Sequence, residues 1–198
     1  MDFGTSAFLE AVAAFNAVSE REGWEQQCDP ELAFSHPDFP AMLSIWKKQA
    51  GANPMAFRHS MTPRVLKGFL PRVVINERTR SHPPRYKWRL MGTQIAEVLG
   101  ERTGKFIDEY APPRQAARWN ANLDLVMRVQ RPLRFHGRVL VNGKTYLASE
   151  LLFLPLADDA REARFALGFG HYGPGAVSGK RHALRASGPA AELAFSQR

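Results

Sequence analysis

Two long apolar segments joined by Asn142-Gly143, within residues 132–155, constrain the fold more than any other part of the sequence. Asn-Gly between such segments predicts a β-hairpin, because a type I′ turn needs positive φ at both central residues. A two-residue turn would place Phe135 opposite Glu150. The second strand is apolar on both faces, so we expect a central strand that is covered on both sides. Its second apolar face consists of Leu147, Leu151 and Phe153.

Composition narrows the class of protein. A length of 198 residues fits one domain with appendages, and no apolar run is long enough to cross a bilayer. Cys28 is the only cysteine, which rules out an intramolecular disulfide and favours the cytoplasm, a reducing compartment. The net charge of +8 suits an anionic partner. No helix or loop combines that charge with interleaved aromatic residues, so the sequence disfavours nucleic acid.

Hydrophobic periodicity predicts five strands and several helices. The sequence is expected to divide into an N-terminal helix and linker over residues 1–36, a domain over 37–172, and a basic flexible tail over 173–198. Helices are predicted at about 5–22, 38–50, 93–99, 105–110 and 113–130, and strands at about 72–79, 85–91, 132–141, 144–155 and 164–172. The outward cations of the strand at 85–91 indicate a protected sheet edge.

Four segments, residues 69–75, 86–93, 99–105 and 152–156, together with this order of elements, resemble the PAS domain superfamily. They resemble most a family of short stand-alone proteobacterial PAS-like proteins, over about residues 37–172. The resemblance implies an α+β fold: a five-stranded antiparallel sheet with short helices and one longer helix on one face, and an N-terminal helical cap. It also implies a non-enzymatic sensor or interaction module, often dimeric, with a small hydrophobic pocket between the sheet and the longer helix.

The resemblance leaves the cofactor unassigned. Flavin-photoadduct PAS domains need a cysteine in the helical segment beside the pocket, whereas Cys28 lies far upstream. Haem-binding PAS domains commonly ligate iron through a histidine on the longer helix, and the predicted helix contains none. The sequence predicts no catalytic and no metal-binding residues.

Glu150 is the most informative residue of the predicted pocket. The predicted register places it in the core beside the longer helix, where a carboxylate could anchor a ligand. The structural alternatives are an ion pair with an arginine such as Arg118, or a bulge that turns Glu150 outward. The predicted pocket lining is Trp88, Phe106, Trp119, Leu123, Met127, Tyr146 and Glu150.

The predicted N-terminal helix carries an apolar stripe that needs a surface to cover. The bare face of the second hairpin strand offers one, either within the chain or together with a second copy. The predicted interface consists of Phe8, Val12, Phe15, Leu147, Leu151 and Phe153. We therefore expect a homodimer that signals through an unidentified partner protein.

The sequence thus favours a stand-alone PAS-type sensory or regulatory module that binds a small hydrophobic ligand. Two alternatives stay open: a small cone-shaped enzyme of the isomerase or dehydratase type, and a protein that binds nucleic acid or an anionic surface through its basic face and tail. The PAS interpretation is favoured over the enzyme because two strands precede the longer helix and no inward Asp–His pair is predicted.

Overall fold

A seven-stranded sheet with helices on both faces forms the fold, in a computed structural model that describes residues 4–141 and 145–173, without the side chains of residues 140, 141, 145 and 146. The helices are α1 (Thr5–Arg21), α2 (Asp38–Ala50), α3 (Thr93–Leu99), α4 (Ile107–Tyr110) and α5 (Pro113–Val129). The strands are β1 (Gln26–Asp29), β2 (Ala56–Phe57), β3 (Val73–Arg78), β4 (Tyr86–Met91), β5 (Leu133–Val141), β6 (Thr145–Ala157) and β7 (Ala163–Gly173).

The strands follow the order β1-β5-β6-β7-β3-β4, and all of these neighbours are antiparallel. The two-residue strand β2 pairs in parallel with the end of β6. Strand β6 therefore lies between β5 and β7, which confirms the prediction that the second hairpin strand is central. Strand β4 forms one edge of the sheet, as its row of outward cations predicts.

Strand β1 occupies a segment for which the sequence predicts only a charged linker, so that prediction is wrong. Gln26–Asp29 pairs with β5 and extends the sheet beyond the five predicted strands. The Asn16 side chain of α1 holds this strand, because its Nδ2 donates to the Cys28 carbonyl at 3.0 Å and its Oδ1 accepts from the Cys28 N–H at 2.7 Å. A four-residue polar strand leaves too short a pattern to be seen in the sequence.

The hairpin register differs from the prediction by one residue. Val141 pairs with Thr145, so three residues connect the strands instead of two, and His136 rather than Phe135 stands opposite Glu150. A one-residue shift moves every side chain of β6 to the other face. The Asn142-Gly143 turn itself lies outside the described residues.

One face of the sheet, here called the α2 face, packs against helix α2. Leu152, Leu154 and Leu156 of β6 lie on it, together with Phe169 of β7, and all four are fully buried. The indole Nε1 of Trp46 in α2 donates to the Pro155 carbonyl at 2.9 Å and fixes the helix over β6. Helix α2 has the bounds that its sequence predicts.

The opposite face, here called the α5 face, carries Phe135 and Phe153 and packs against both α5 and α1. Phe15 of α1 meets the Phe135 ring edge-on at 5.3 Å, and Phe135 meets the Phe153 ring at 5.7 Å. Helix α1 therefore covers the face that bears Phe153, as predicted. The predicted register places Phe135 and the longer helix on the opposite face from Phe153. In the observed register Phe135 and Phe153 share one face, so α1 and α5 cover the same side of the sheet.

Two further predictions concern the ends of the chain. The predicted flexible tail, residues 173–198, lies outside the described residues apart from Gly173. Across the described residues 4–141 and 145–173, no helix is long and apolar enough to cross a membrane.

Candidate functional site

A small apolar cavity of about 40 Å³ lies on the α5 face, between the sheet and helices α3, α4 and α5. Strands β3, β4, β6 and β7 supply its floor, and the three helices supply its walls. Pockets for small ligands are commonly about 300–1,000 Å³. The cavity as it stands holds only a few atoms, and a larger occupant requires lining side chains to move.

Two glycines of β7 belong to the lining of this cavity, and neighbouring side chains pack closely against both. A Cβ atom on Gly168 would lie 2.7 Å from Cγ1 of Val74 and 2.8 Å from a ring carbon of Phe153. A Cβ atom on Gly170 would lie 3.0 Å from Leu151 and 3.1 Å from Ile95, both at the ends of flexible side chains. Any side chain at these two positions would therefore occupy the cavity or displace its lining.

The walls of the cavity are mainly aromatic and aliphatic. Trp88 of β4 and Trp119 of α5 meet edge-to-face with 5.8 Å between ring centroids. Asn76 and Tyr172 are the polar residues of the lining. Burial raises the pKa of Tyr172 to about 12, so its hydroxyl is neutral near pH 7. The site is thus uncharged and suits an apolar occupant.

Three of the predicted pocket residues, Trp88, Trp119 and Leu123, come together in the cavity lining. Met127 is buried in the same apolar core but is not part of the lining. The Phe106 ring lies instead 4.0 Å beneath the guanidinium of Arg85. The predicted residue Tyr146 has no described side chain.

Glu150 lies on the α2 face, away from the cavity, so the prediction that it anchors a ligand in this pocket is wrong. Its Oε1 accepts hydrogen bonds from Nε of Arg134 at 2.7 Å and from the N–H of Ser35 at 2.9 Å, and the Ser35 hydroxyl donates to Oε2. Burial raises the pKa of Glu150, but the bonds from Ser35 and Arg134 outweigh it and hold that pKa below its ordinary range. The structural alternative, an ion pair, applies, with Arg134 in place of Arg118.

The predicted interface residues lie inside the fold. Phe8, Val12, Phe15 and Phe153 are buried within a single chain, Leu151 lines the cavity, and Leu147 is half-buried. The stripe of α1 is already covered by the sheet and α5, so this set does not offer a free surface to a second copy.

The sequence reasoning missed the glycine floor and the β6 side of the cavity. Leu151 and Phe153 face α5 only in the observed register. The predicted two-residue turn implied the other register. Glycines at alternate positions of an apolar strand, Gly168 and Gly170, were the available signal, because glycine inside a strand often marks a close approach or a ligand.

The described residues contain no group of three or more His, Cys, Asp or Glu side chains that could hold a metal ion. Burial, assisted by the Asp29 charge, raises the pKa of Cys28 to about 12. Its thiol is therefore protonated near neutral pH and is a poor nucleophile or ligand.

Comparison with known proteins assigns the class to which this sheet and its helix-covered cavity belong. Residues 34–170, more than half of the chain, match the family model described as "PAS domain". The chain therefore belongs to the PAS domain family, as its sequence motifs predict.

One solved structure, titled "Structure of an RNA-binding Light-Oxygen-Voltage Receptor", is similar with a TM-score of 0.40 and 10% sequence identity. The similarity covers 84% of this chain and 48% of that chain, so this chain spans about half the length of the receptor. No curated protein matches the chain.

Proposed function

We propose that this PAS domain is a sensory or regulatory module that holds a small, largely apolar ligand between α5 and the sheet and signals through protein contacts. Membership of the PAS family supports the sensory or regulatory role. The observation that carries the ligand is the apolar cavity whose lining includes Gly168, Gly170 and Trp119. The unfilled space costs packing free energy, which an apolar occupant would recover.

The side chains that line the apolar cavity indicate which ligands it would accept. Its few polar groups, the amide of Asn76 and the neutral hydroxyl of Tyr172, can orient a ligand without requiring charge. Trp119 and Leu99, on the helix side of the cavity, are only half-buried, so their side chains can swing outward to admit a larger molecule. A ligand bound there would press directly on α5, which links the cavity to the outer surface.

Protein contacts, including a homodimer, would have to use the outer surface of the fold. Leu9 on the outer side of α1 is 49% exposed, and Tyr110, the last residue of α4, is 48% exposed. We propose that a second copy packs on the outer side of α1. A Leu9→Lys variant should then lower the mass measured by light scattering, and an unchanged dimer mass would contradict this surface.

The ligand can be sought by native mass spectrometry of the purified full chain, followed by denaturation and identification of the released molecule. Gly170→Ala places a methyl group in the cavity 3.0–3.2 Å from three side chains, which can each shift slightly. We expect the wild-type chain to carry a small molecule and the variant to retain much less of it.

Gly68→Ala is the matched control, because nothing lies within 4 Å of a Cβ atom there and its φ is not positive. It should retain the ligand like the wild type. Equal retention by Gly170→Ala and Gly68→Ala, or no released molecule from any of the three proteins, would contradict the proposed function.

A further inference from the structure

A groove of about 520 Å³ opens at the start of α5, apart from the apolar cavity. Residues 23–25, which precede β1, form one wall, and Pro112, Arg114 and Gln115, at the start of α5, form the other. Arg118 and Arg138 complete the lining. Its volume is that of a typical small-molecule site. Hereafter it is called the arginine groove.

The arginine groove is strongly cationic. Within the described part of the chain, Arg114, Arg118 and Arg138 line it, against one carboxylate, that of Glu25. The groove also receives the N-terminal end of α5, a helix of 17 residues, and the partial positive charge of a helix N-terminus adds to that of the side chains. The field of the groove therefore favours an anion.

The guanidinium of Arg118 is buried but incompletely paired within the described residues, which is a separate reason to expect a ligand in the groove. It is only 8% exposed, and both of its hydrogen bonds use Nη1, to the carbonyls of Trp24 at 3.3 Å and Arg138 at 3.1 Å. Its Nε is buried and has no partner among the residues that the structure describes. Burial lowers the pKa of Arg118, as expected for a guanidinium with little water around it.

The neighbourhood of Arg118 contains further polar atoms that lack partners. Asn122, one turn along α5, is fully buried, and neither polar atom of its side chain has a partner in the described part of the chain. The same holds for Oε1 of Gln26, a 5% exposed residue whose strand pairs with Gly137, next to Arg138. Neither Asn122 nor Gln26 lines the groove, so their atoms show incomplete pairing of buried polar groups beside the groove and not contacts within it.

We propose that the arginine groove binds a small organic carboxylate, with the carboxylate on the incompletely paired guanidinium of Arg118 and the Arg138 side chain closing over it. A guanidinium edge matches the two oxygens of a carboxylate with two parallel N–H donors. Arg114 already donates to the Glu22 and Gly23 carbonyls, so Arg118 is the guanidinium with an unpartnered nitrogen among the described residues. The two donors of a single guanidinium suit a carboxylate better than a phosphate. This site goes beyond the proposed function, because it is charged and does not depend on the apolar cavity being occupied.

The test is isothermal titration calorimetry of the full chain with benzoate, phenylacetate, benzamide and inorganic phosphate, at constant ionic strength and up to about 10 mM. We expect both carboxylates to bind and benzamide, the neutral isostere of benzoate, not to bind. Arg138→Gln should weaken carboxylate binding about ten-fold, and Arg118→Met should abolish it. Arg128→Gln removes an exposed charge from the far end of α5 and should change nothing.

Several results would overturn this assignment: equal binding of benzoate and benzamide, tighter binding of phosphate than of either carboxylate, or no binding of any carboxylate. Equal weakening by Arg138→Gln and Arg128→Gln would overturn it too, since it would show an effect of net charge alone. If Arg118→Met fails to fold, the pair of Arg138→Gln and Arg128→Gln decides the matter. None of these outcomes depends on Gly170, so this proposal and the apolar-ligand proposal can fail separately.

Discussion

The two faces of the sheet satisfy their polar groups very differently. On the α2 face, Arg134 lies between Asp29 and Glu150 at 3.0 and 2.7 Å, and Ser35 completes the shell of Glu150. On the α5 face, Arg118 has one unpartnered nitrogen and Asn122 has two unpartnered atoms within the described residues. The α2 face is also filled by leucines and Phe169, whereas the α5 face retains a cavity.

This contrast suggests different roles for the two faces of the sheet. A face that only holds the fold together gains from full packing and complete pairing of its charges. Departures from these rules are expected where a protein must accommodate something else. Because the departures among the described residues lie on the α5 face, that face is the one for which we propose ligand binding, and the α2 face has a structural role.

The largest effect should come from breaking the ion pairs of the α2 face. Arg134→Met leaves the buried carboxylate of Glu150 and the nearby Asp29 without their cation, which should lower the free energy of unfolding by about 3 kcal/mol. Urea denaturation would measure it. Arg21→Met is the matched control, because its pair with Glu22 is exposed and should contribute less than about 1 kcal/mol. If the free energy of unfolding fell equally in the two variants, the buried ion pairs of the α2 face would contribute no more than an exposed pair, which would contradict the difference between the faces.

A pair of asparagines compares satisfied with unsatisfied amides. Asn16→Leu removes two hydrogen bonds to the backbone of Cys28 and should cost about 2 kcal/mol. Asn122→Leu removes a buried amide without partners in the described residues and should leave the free energy of unfolding unchanged or raise it by about 1 kcal/mol. Thermal and urea unfolding would compare them. A loss at Asn122 as large as that at Asn16 would mean that ordered water satisfies Asn122 as part of the fold.

The smallest effect concerns acid sensitivity. Hydrogen bonds and the Arg134 charge hold the pKa of Glu150 and of Asp29 below their ordinary values of 4.5 and 3.8, despite the opposing effect of burial. Groups whose pKa is lowered by folding stabilise the protein above those values, and this stability is lost as the pH falls through the lowered pKa. The melting temperature should therefore drop between about pH 5 and pH 3. Arg134→Met should flatten that drop, and identical pH profiles for both proteins would refute the assignment.

Periodicity was sufficient to predict the long helices and the central strand. The bounds of α2 match the prediction, and α1 and α5 end within a residue or so of it. The register of the hairpin was not predictable in this way, because β6 is apolar on both faces and either register buries leucine. The discriminating signal was electrostatic: only the observed register brings Glu150 to the face of Arg134.

The candidate site was predicted in part for the same reason. Trp88, Trp119 and Leu123 belong to elements whose inward faces are clear from their periodicity, and they meet in the cavity. Leu151 and Phe153 depended on the register and were therefore assigned to an interface. Arg118 entered the sequence reasoning only as a partner for Glu150, since no local pattern reveals that a helix arginine will lie in a groove.

The most direct test of the central claim is a high-resolution crystal structure of the full chain, purified without added ligand. We predict electron density for a small organic molecule on the α5 face, between Trp119 and the glycines at 168 and 170, and a fully packed α2 face. A cavity that is closed by its own side chains, or that holds only water, would contradict the claim.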